Sequence, residues 1–213
     1  MTMRGEGGRL LHRYRTEEAG ITAHADDYAF LIWGLLELYE ATFETEYLKT
    51  AIALQKDMNE HYLDTERGGY YFTANDAEEM IIRHKEVYDG AVPSANSAAL
   101  LNLLRIGRIT GDASYEEAAG NLAKAFSAAV DQAPSAYTQL LLGLDFGIGP
   151  SYEIVLAGER GSEDTEKMID ALRKVYAPNK IVLLRDSGPG ITDIAPFTKE
   201  QETIGGKAAA TYA

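Results

Sequence analysis

The chain has 213 residues, a hydrophobic fraction of 46% and no cysteine. This length suits one large domain, alone or with a small appendage, and the lack of cysteine excludes disulfides, thiolate nucleophiles and cysteine-based zinc sites. The net charge of −13 disfavours nucleic acid and anionic membranes as partners. No apolar run reaches the roughly 18 residues of a membrane span and no apolar signal segment opens the chain, so we expect a cytoplasmic location.

The N-terminal part of the chain predicts a mixed arm followed by a helical hairpin. Residues 1–25 form the arm, in which Arg9–Arg15 is interpreted as a short strand or an extended segment. The first helix is predicted to begin near Asp26, and it is apolar almost all round, which is typical of a helix buried on most sides. Thr45 is the predicted N-cap of a second helix, whose apolar residues recur at helical spacing as far as Met58.

A short β-hairpin is predicted between the second and third helices. The polar segment Asp64–Gly69 ends the second helix, after which Tyr70–Thr73 is interpreted as a strand and Met80–Arg83 as its partner. A polar loop then leads into a strongly apolar third helix over about 94–109. Functional groups on a loop that is held by a rigid element are a common way to build an active site, so this loop is the first candidate for chemistry.

Two more helices are predicted after a turn that ends the third. The fourth covers about 115–130. Pro134 is expected at the first position of the fifth helix, since proline is favoured there, and that helix is expected to end at Gly147 or Gly149.

An internal repeat is visible at an offset of 68 residues. The segment Leu35–Thr42 aligns with Leu103–Thr110. The same offset pairs two further sets of positions, Tyr47 with Tyr115 and Ala51 with Ala119. The pattern favours a repeat architecture of helical hairpins, and the alternative is a chance likeness between two amphipathic hairpins.

The C-terminal part predicts a β-α-β unit with parallel strands. Its segments are a strand at Tyr152–Ala157, a helix at Glu163–Val175 and a strand at Lys180–Leu184. This unit is not a dinucleotide site, because the GxGxxG motif is missing and acidic residues open its helix. The tail from Asp186 is expected to extend over the surface.

Several segments together resemble one known protein family. They are Asp26–Leu31, Gly68–Phe72, Tyr88–Ser97, Gln139–Leu141, Leu144–Phe146 and Glu153–Gly158. At these residues the chain resembles the C-terminal part of the YyaL-like, spermatogenesis-associated thioredoxin-domain proteins. The resemblance runs from about Gly8 to the end, and the combination of segments is specific.

The resemblance implies a thioredoxin-like domain followed by an (α/α)6 toroid similar to N-acylglucosamine 2-epimerases and six-hairpin glycosidases. Such a toroid has twelve helices, whereas this sequence predicts five and one more in the β-α-β unit, so the chain is expected to be part of a longer protein. We expect a mainly α fold: an incomplete (α/α)6 toroid of helical hairpins with a short β-hairpin insertion and a small C-terminal β-α-β unit. The expected divisions are an arm over 1–25, the toroid portion over 26–149, and the β-α-β unit with its tail over 150–213.

Two aspartates are the predicted acid and base of a carbohydrate-active site. Asp26 aligns with Ser94 at the offset of 68, which favours helix capping by Asp26 and leaves Asp27 for chemistry. Asp89 precedes Gly90, which allows a turn that brings side chains close to a ligand. Glycoside hydrolysis requires two carboxylates about 5–9.5 Å apart, so we predict Asp27 and Asp89 as that pair. The alternatives are a first-turn cap and, for Asp89, hydrogen bonds to its own loop.

Four further residues are predicted to bind the substrate: Lys85, Tyr88, Asn96 and Tyr70. The first three suit sugar hydroxyl or carboxylate groups, and the aromatic ring of Tyr70 suits stacking on a sugar. The alternatives are stabilisation of the loop, capping of the third helix and burial in the core. Trp33 is a stacking candidate as well, although its apolar helix favours a place in the core.

No metal site and no cofactor are predicted. His24 and Asp26 form a His-x-Asp pair, but a metal site needs more ligands and a second shell. The other histidines stand alone in the sequence, at His12, His61 and His84. No Gly-x-Ser-x-Gly motif indicates a serine hydrolase.

Two functions remain as hypotheses. The first is a carbohydrate-active domain, epimerase-like or glycosidase-like, in which the two aspartates act on a small sugar. The second is a non-catalytic interaction or scaffold domain. Half a toroid would leave apolar helix faces uncovered, so the expected partner is another copy of the chain or a missing N-terminal half.

Overall fold

The structure, a computed structural model, describes residues 3–5, 8–77 and 81–212 and confirms a mainly helical chain with small sheets. The elements in chain order are β1 (Leu11–Arg15), β2 (Glu18–Thr22), α1 (Ala25–Thr42), α2 (Thr45–Tyr62), α3 (Ala95–Thr110), α4 (Ala113–Gln132), α5 (Thr138–Ile148), β3 (Tyr152–Ala157), α6 (Glu163–Arg173), β4 (Lys180–Arg185), α7 (Gly190–Ile194) and β5 (Ala209–Tyr212). Two 3₁₀ segments lie at Pro134–Ala136 and Pro196–Glu200. Within the described ranges, none of these helices has the length and apolarity needed to cross a bilayer.

Helix α3 is the centre of the fold. Thirteen of its sixteen residues are buried, because α1, α4 and α5 all pack against it. The side-chain amide N–H of Asn102 donates to the carbonyl of Ala29 in α1 at 2.8 Å, so a buried polar contact joins the two helices. Since α2 packs on α1, the helices α1, α3 and α5 form an inner row with α2 and α4 outside it.

The predicted repeat appears in the turns that connect the two helical hairpins. Phe43 and Gly111, which are 68 residues apart, both end a helix in the left-handed conformation, with φ of 57° and 72°. The hydroxyl groups of Thr42 and Thr110 each donate to the carbonyl four residues earlier. Each of these hydroxyls also accepts the backbone N–H two residues later, in both turns at 3.2 Å. The two hairpins therefore turn in the same way.

The C-terminal β-α-β unit is confirmed, and a third strand completes its sheet. Strands β3 and β4 are parallel, with Tyr152 opposite Lys180. The predicted extended tail is wrong in part, because β5 pairs antiparallel with the free edge of β3 and α7 precedes it. An unpaired edge on the apolar β3 would expose its backbone groups, and β5 covers that edge.

The predicted β-hairpin at 70–83 does not form in the described residues, and its residue Met80 lies outside them. Tyr70 makes one isolated bridge, to Leu63, and its ring is buried in the core. The aromatic side chains there make separate contacts: the Tyr71 hydroxyl donates to Asp64 at 2.8 Å, and the Phe72 ring stacks on His24. The hairpin that does form is β1–β2, inside the predicted arm.

Helix starts also differ from the prediction by a few residues. Helix α1 begins at Ala25, one residue before Asp26, and α2 contains Thr45 as its first residue. Pro134 opens a 3₁₀ turn, so α5 begins only at Thr138. Capping of the third helix, one of the alternatives given above, falls to Ser94: its hydroxyl accepts the N–H of Ser97 at 3.1 Å.

Candidate functional site

Asp89 joins the loop before α3 to the starts of two helices. One carboxylate oxygen accepts the backbone N–H of Ser94 at 2.9 Å. The other accepts the N–H groups of Gln139 at 2.9 Å and Leu140 at 3.2 Å, in the first turn of α5. Tyr137 precedes α5 without a side-chain cap, so the carboxylate replaces the missing cap from 50 residues away. A negative charge is favoured there by the exposed N–H groups and the helix dipole.

Asn96 and Tyr70 lie inside the fold and hold the same loop through hydrogen bonds. The side-chain oxygen of Asn96 accepts the N–H of Tyr70 at 2.7 Å, and its amide donates to the carbonyls of Tyr70 and Glu86 at 2.9 and 2.7 Å. The Tyr70 hydroxyl donates to Asn59 at 2.6 Å and accepts from Gln55 at 3.1 Å. Both predicted binding residues are therefore engaged inside the fold.

Lys85 and Tyr88 differ sharply in their surroundings. The Lys85 ammonium donates to the Asp64 carboxylate and to the carbonyl of Gly68, both at 2.8 Å. The hydrogen bond from Lys85 holds the pKa of Asp64 well below its usual range. Tyr88 is 64% exposed, which leaves it as the predicted binding residue most open to a ligand.

Asp27 closes the first turn of α1 and contacts two histidines. Its Oδ2 accepts the backbone N–H of His24 at 2.8 Å, so the capping role predicted for Asp26 belongs to Asp27. The Oδ1 of Asp26 accepts only the neighbouring N–H of Asp27, at 3.0 Å. The same Oδ2 of Asp27 lies 2.8 Å from Nδ1 of His12 and 3.9 Å from Nδ1 of His24.

A row of stacked rings continues from these histidines. The ring of His12 meets that of His24 edge-on, with centroids 5.0 Å apart. Phe72 stacks on His24 at 4.6 Å and on His84 at 5.6 Å. The row brings three of the four histidines of the chain together. Sequence reasoning missed this because His12, His24 and His84 are far apart along the chain.

The predicted residues thus divide between two networks. Asp89, Asn96 and Tyr70 lie around the start of α3, whereas Asp27 lies with the histidines at the start of α1.

A cleft of about 540 Å³ lies between the inner helices and the segment before β4. Its lining includes Trp33, Glu37 and Glu40 from α1, Arg105 from α3 and Tyr176. The Arg105 guanidinium donates to Glu37 at 2.6 Å and to Glu40 at 2.8 Å. The Trp33 indole N–H donates to Glu37 at 3.1 Å. An aromatic ring and two carboxylates thus share one concave surface, a combination found in ligand sites.

Burial and the neighbouring charges together shift the pKa values of the ionisable groups in this cleft. Burial raises the pKa of Glu40, and Arg105 offsets part of that rise. Burial alone would lower the pKa of Arg105, but Glu40 and Glu37 more than offset it, so the net shift is upward. The sequence held one signal for this site: Arg105 interrupts a run of apolar residues, and a buried arginine needs a paired charge.

Comparison with known proteins gives relatives but no activity. No family model matches the chain. The human protein named spermatogenesis-associated protein 20 is 34% identical over 191 residues, which is 85% of this chain and 24% of that protein. The rat protein of the same name is 34% identical over 165 residues, 77% of this chain and 21% of its own length. An uncharacterized protein of Caenorhabditis elegans is 32% identical over 179 residues, 84% of this chain and 24% of that protein.

The chain spans about a quarter of the length of the curated relatives it matches. The names of these relatives state no reaction and no ligand. The similarity, which covers most of this chain, supports the spermatogenesis-associated family indicated by the sequence segments.

Proposed function

We propose that this chain is a non-catalytic interaction module built from helical hairpins. The engagement of Asp89 is the observation that supports this most directly. A general acid or base must reach a substrate proton within about 2.6–3.2 Å, whereas both oxygens of Asp89 accept backbone N–H groups of the fold. Asp27 likewise closes the first turn of its own helix.

The interaction surface in this proposal is an apolar strip on the solvent side of α1. We call it the α1 stripe, and its residues are Leu31, Gly34, Leu38 and Ala41, all exposed. Leu31 is 40% and Leu38 is 45% exposed, and apolar side chains that form one contiguous exposed patch are typical of a protein–protein contact. The spacing of three and four residues puts them on one face.

We propose a second copy of the chain as the occupant of the α1 stripe. If two α1 helices cross antiparallel near Gly34, Leu31 of each copy faces Leu38 of the other, so the stripe is complementary to itself. Such a two-fold contact is the commonest way for identical chains to associate. A Cβ atom at Gly34 would meet nothing within 4 Å, and this open position lets the two helices approach closely.

The position of the α1 stripe can also be compared with the helix order of a complete toroid. Within an (α/α)6 toroid like that of N-acylglucosamine 2-epimerases, α1, α3 and α5 would be consecutive inner helices. The α1 stripe would then lie where the next inner helix packs. The inner helices of such a toroid run parallel to one another, so a second copy whose α1 crosses antiparallel would cover this face without completing the ring.

Light scattering coupled to size-exclusion chromatography tests the proposal. We expect the wild-type chain to have twice the 23.3 kDa mass of one copy, and the double variant L31E/L38E to be monomeric. The matched control is L142E/I148E, which places two glutamates on exposed apolar residues of α5 and should leave the dimer intact. A monomeric wild type at about 100 µM, or equal loss of the dimer in the control, contradicts the proposal.

A carbohydrate-active function is the second candidate, and the cleft of Trp33, Glu37 and Glu40 favours it. A ring and two carboxylates suit sugar stacking and acid–base chemistry, and this cleft is a better location than the Asp27–Asp89 pair. Saturation-transfer NMR with a panel of monosaccharides tests it. We expect signal transfer that disappears in Trp33→Ala but persists in Tyr88→Ala. No transfer to any sugar contradicts this second candidate.

A further inference from the structure

We propose that His12, His24 and Asp27 form a binding site for one divalent transition-metal ion, with Zn²⁺ as the representative ion. One ligand atom from each of the three residues lies within 4.8 Å of the others. Two imidazoles and one carboxylate are a common set of zinc ligands. The site is independent of the α1 stripe, which lies further along the helix.

The distances within the cluster suit a single ion. Zinc binds imidazole nitrogen and carboxylate oxygen at about 2.0–2.2 Å, so two ligand atoms in a tetrahedral site are about 3.3 Å apart. Asp27 Oδ2 lies 2.8 Å from Nδ1 of His12 and 3.9 Å from Nδ1 of His24, values on either side of that separation. Small rotations of the three side chains would therefore complete the geometry.

An ion pair and a helix capping box account for part of this arrangement: the His24 side chain accepts the backbone N–H of Asp27, and the Asp27 side chain accepts the backbone N–H of His24. His12 and Asp27 at 2.8 Å form a hydrogen bond. The 3.9 Å between His24 Nδ1 and the same oxygen is too long for one, but it is suitable for two ligands of one ion. The capping role of Asp27 is compatible with metal binding, because a carboxylate has about four lone-pair sites.

The three ligands come from two segments that the fold holds in place, strand β1 and the start of α1. His12 is in β1, His24 precedes α1, and Asp27 is in the first turn of α1. The His24 ring stacks on Phe72 with an interplanar angle of 11°. The backbone N–H of Ala25 donates to the carbonyl of Phe72 at 3.0 Å, which fixes the segment that carries His24. Such support around the ligands is what a metal site requires.

Exposure of the cluster leaves room for a water ligand. The side chains of His12, His24 and Asp27 are 43%, 28% and 25% exposed. An ion held by three protein ligands and accessible to solvent keeps a fourth position for water, as in zinc sites with an open coordination position.

The backbone next to His12 has an uncommon conformation. The ladder pairs Leu11 with Thr22 and Arg13 with Gly20, and between these pairs Ile21 has a φ of 64°. A β-branched residue at positive φ is a genuine outlier that costs of order 1–3 kcal/mol. Such outliers cluster at functional sites, and this one lies opposite a proposed ligand.

Calorimetric titration of the full chain with ZnCl₂ tests the site after EDTA has been removed by dialysis. We expect one Zn²⁺ per chain, with affinity at least tenfold weaker in His12→Ala and in His24→Ala. Asp27→Asn keeps an acceptor for the first turn of α1 and should also bind at least tenfold more weakly. The matched control is His84→Ala, which removes a ring from the same row and should bind like the wild type.

NMR of the histidine rings gives a readout that does not depend on stability. On addition of Zn²⁺, we expect the ring signals of His12 and His24 to shift before those of His61 and His84. Absence of Zn²⁺ binding by the wild-type chain overturns the proposal. It is also overturned if His84→Ala weakens binding as much as His12→Ala, or if His61 and His84 shift first.

Discussion

At the scale of single residues, the Asp89 carboxylate connects two helix starts that are far apart in the sequence. It ties a loop to the starts of α3 and α5 through three backbone N–H groups. We expect Asp89→Ala to lower the free energy of unfolding by about 2–3 kcal/mol, since it removes a charged cap and leaves N–H groups without an acceptor. Asp89→Asn keeps one acceptor and should cost about 1 kcal/mol.

Urea unfolding monitored by circular dichroism measures both variants of Asp89. Glu202→Ala is the control, because Glu202 is an exposed loop residue, and it should change the stability by less than about 0.5 kcal/mol. If Asp89→Ala is as stable as this control, the carboxylate is free for other chemistry and the interaction-module proposal loses its main support.

The Lys85–Asp64 pair should make stability depend on pH at the acidic end. The pKa of Asp64 is lowered from its ordinary 3.8, chiefly by the hydrogen bond from Lys85. A lowered pKa in the folded state stabilises the protein above the ordinary pKa, and this stabilisation is lost as pH falls through the lower folded value. We expect the stability difference between the wild type and Lys85→Met to be largest at pH 6–7 and to shrink below about pH 4.

Urea unfolding at pH 7 and at pH 3 measures that difference. Lys167→Met is the control, because Lys167 pairs with Glu163 on the exposed surface of α6 and such pairs contribute little. A difference between wild type and Lys85→Met that grows as the pH falls contradicts the assignment.

At the scale of elements, the sequence predicted those with strong local periodicity. The inner helix α3 and the unit β3–α6–β4 formed where apolar spacing indicated them. The hairpin β1–β2 was harder to predict because its turn residues Thr16 and Glu17 have φ of 53° and 67°. Asparagine and glycine usually mark such a turn, and neither is present.

The remaining misses have long-range causes. Strand β5 contains two alanines, which have low β propensity, and it forms because β3 offers a free edge. The cap of α5 comes from Asp89, which lies 50 residues before Gln139 in the sequence. No sequence pattern near the helix therefore indicates this cap. The clefts and the histidine row form where segments that are distant in the sequence pack together. The spacing of residues within one segment therefore does not predict their geometry.

The repeated turn gives a prediction at this scale. Gly111 has a φ of 72°, and a Cβ atom placed there would approach Phe197 no closer than 3.5 Å. Space is therefore available, and Gly111→Ala should cost about 1 kcal/mol through backbone conformation alone. Gly120→Ala is the matched control, since Gly120 lies inside α4 with nothing within 4 Å of its Cβ position.

Thermal unfolding of the two variants compares them directly. Gly120→Ala should raise the melting temperature, because alanine favours a helix by about 1 kcal/mol over glycine, whereas Gly111→Ala should lower it. A shift in the same direction for both variants means that the left-handed turn does not limit stability there.

At the scale of the whole molecule, helix α1 contributes residues to three different surfaces. Its first turn holds the histidine cluster, its inner side carries Trp33 and the two glutamates of the cleft, and its outer side presents the α1 stripe. The exposed α1 stripe explains why the helix is apolar over most of its surface and yet not fully buried. The three proposals can be tested separately because each depends on different residues of α1.

The net charge makes salt a discriminating variable for self-association. Two copies that each carry a charge of −13 repel one another, and salt reduces this repulsion because the Debye length falls from about 10 Å at 0.1 M to about 3 Å at 1 M. A contact made by the apolar α1 stripe should therefore strengthen as NaCl rises from 0.1 to 1 M, whereas a contact made by ion pairs should weaken. Sedimentation velocity at several protein concentrations measures the change, with L31E/L38E as the control expected to stay monomeric at every salt concentration. Weaker association at high salt assigns the interface to charged residues and removes the α1 stripe from it.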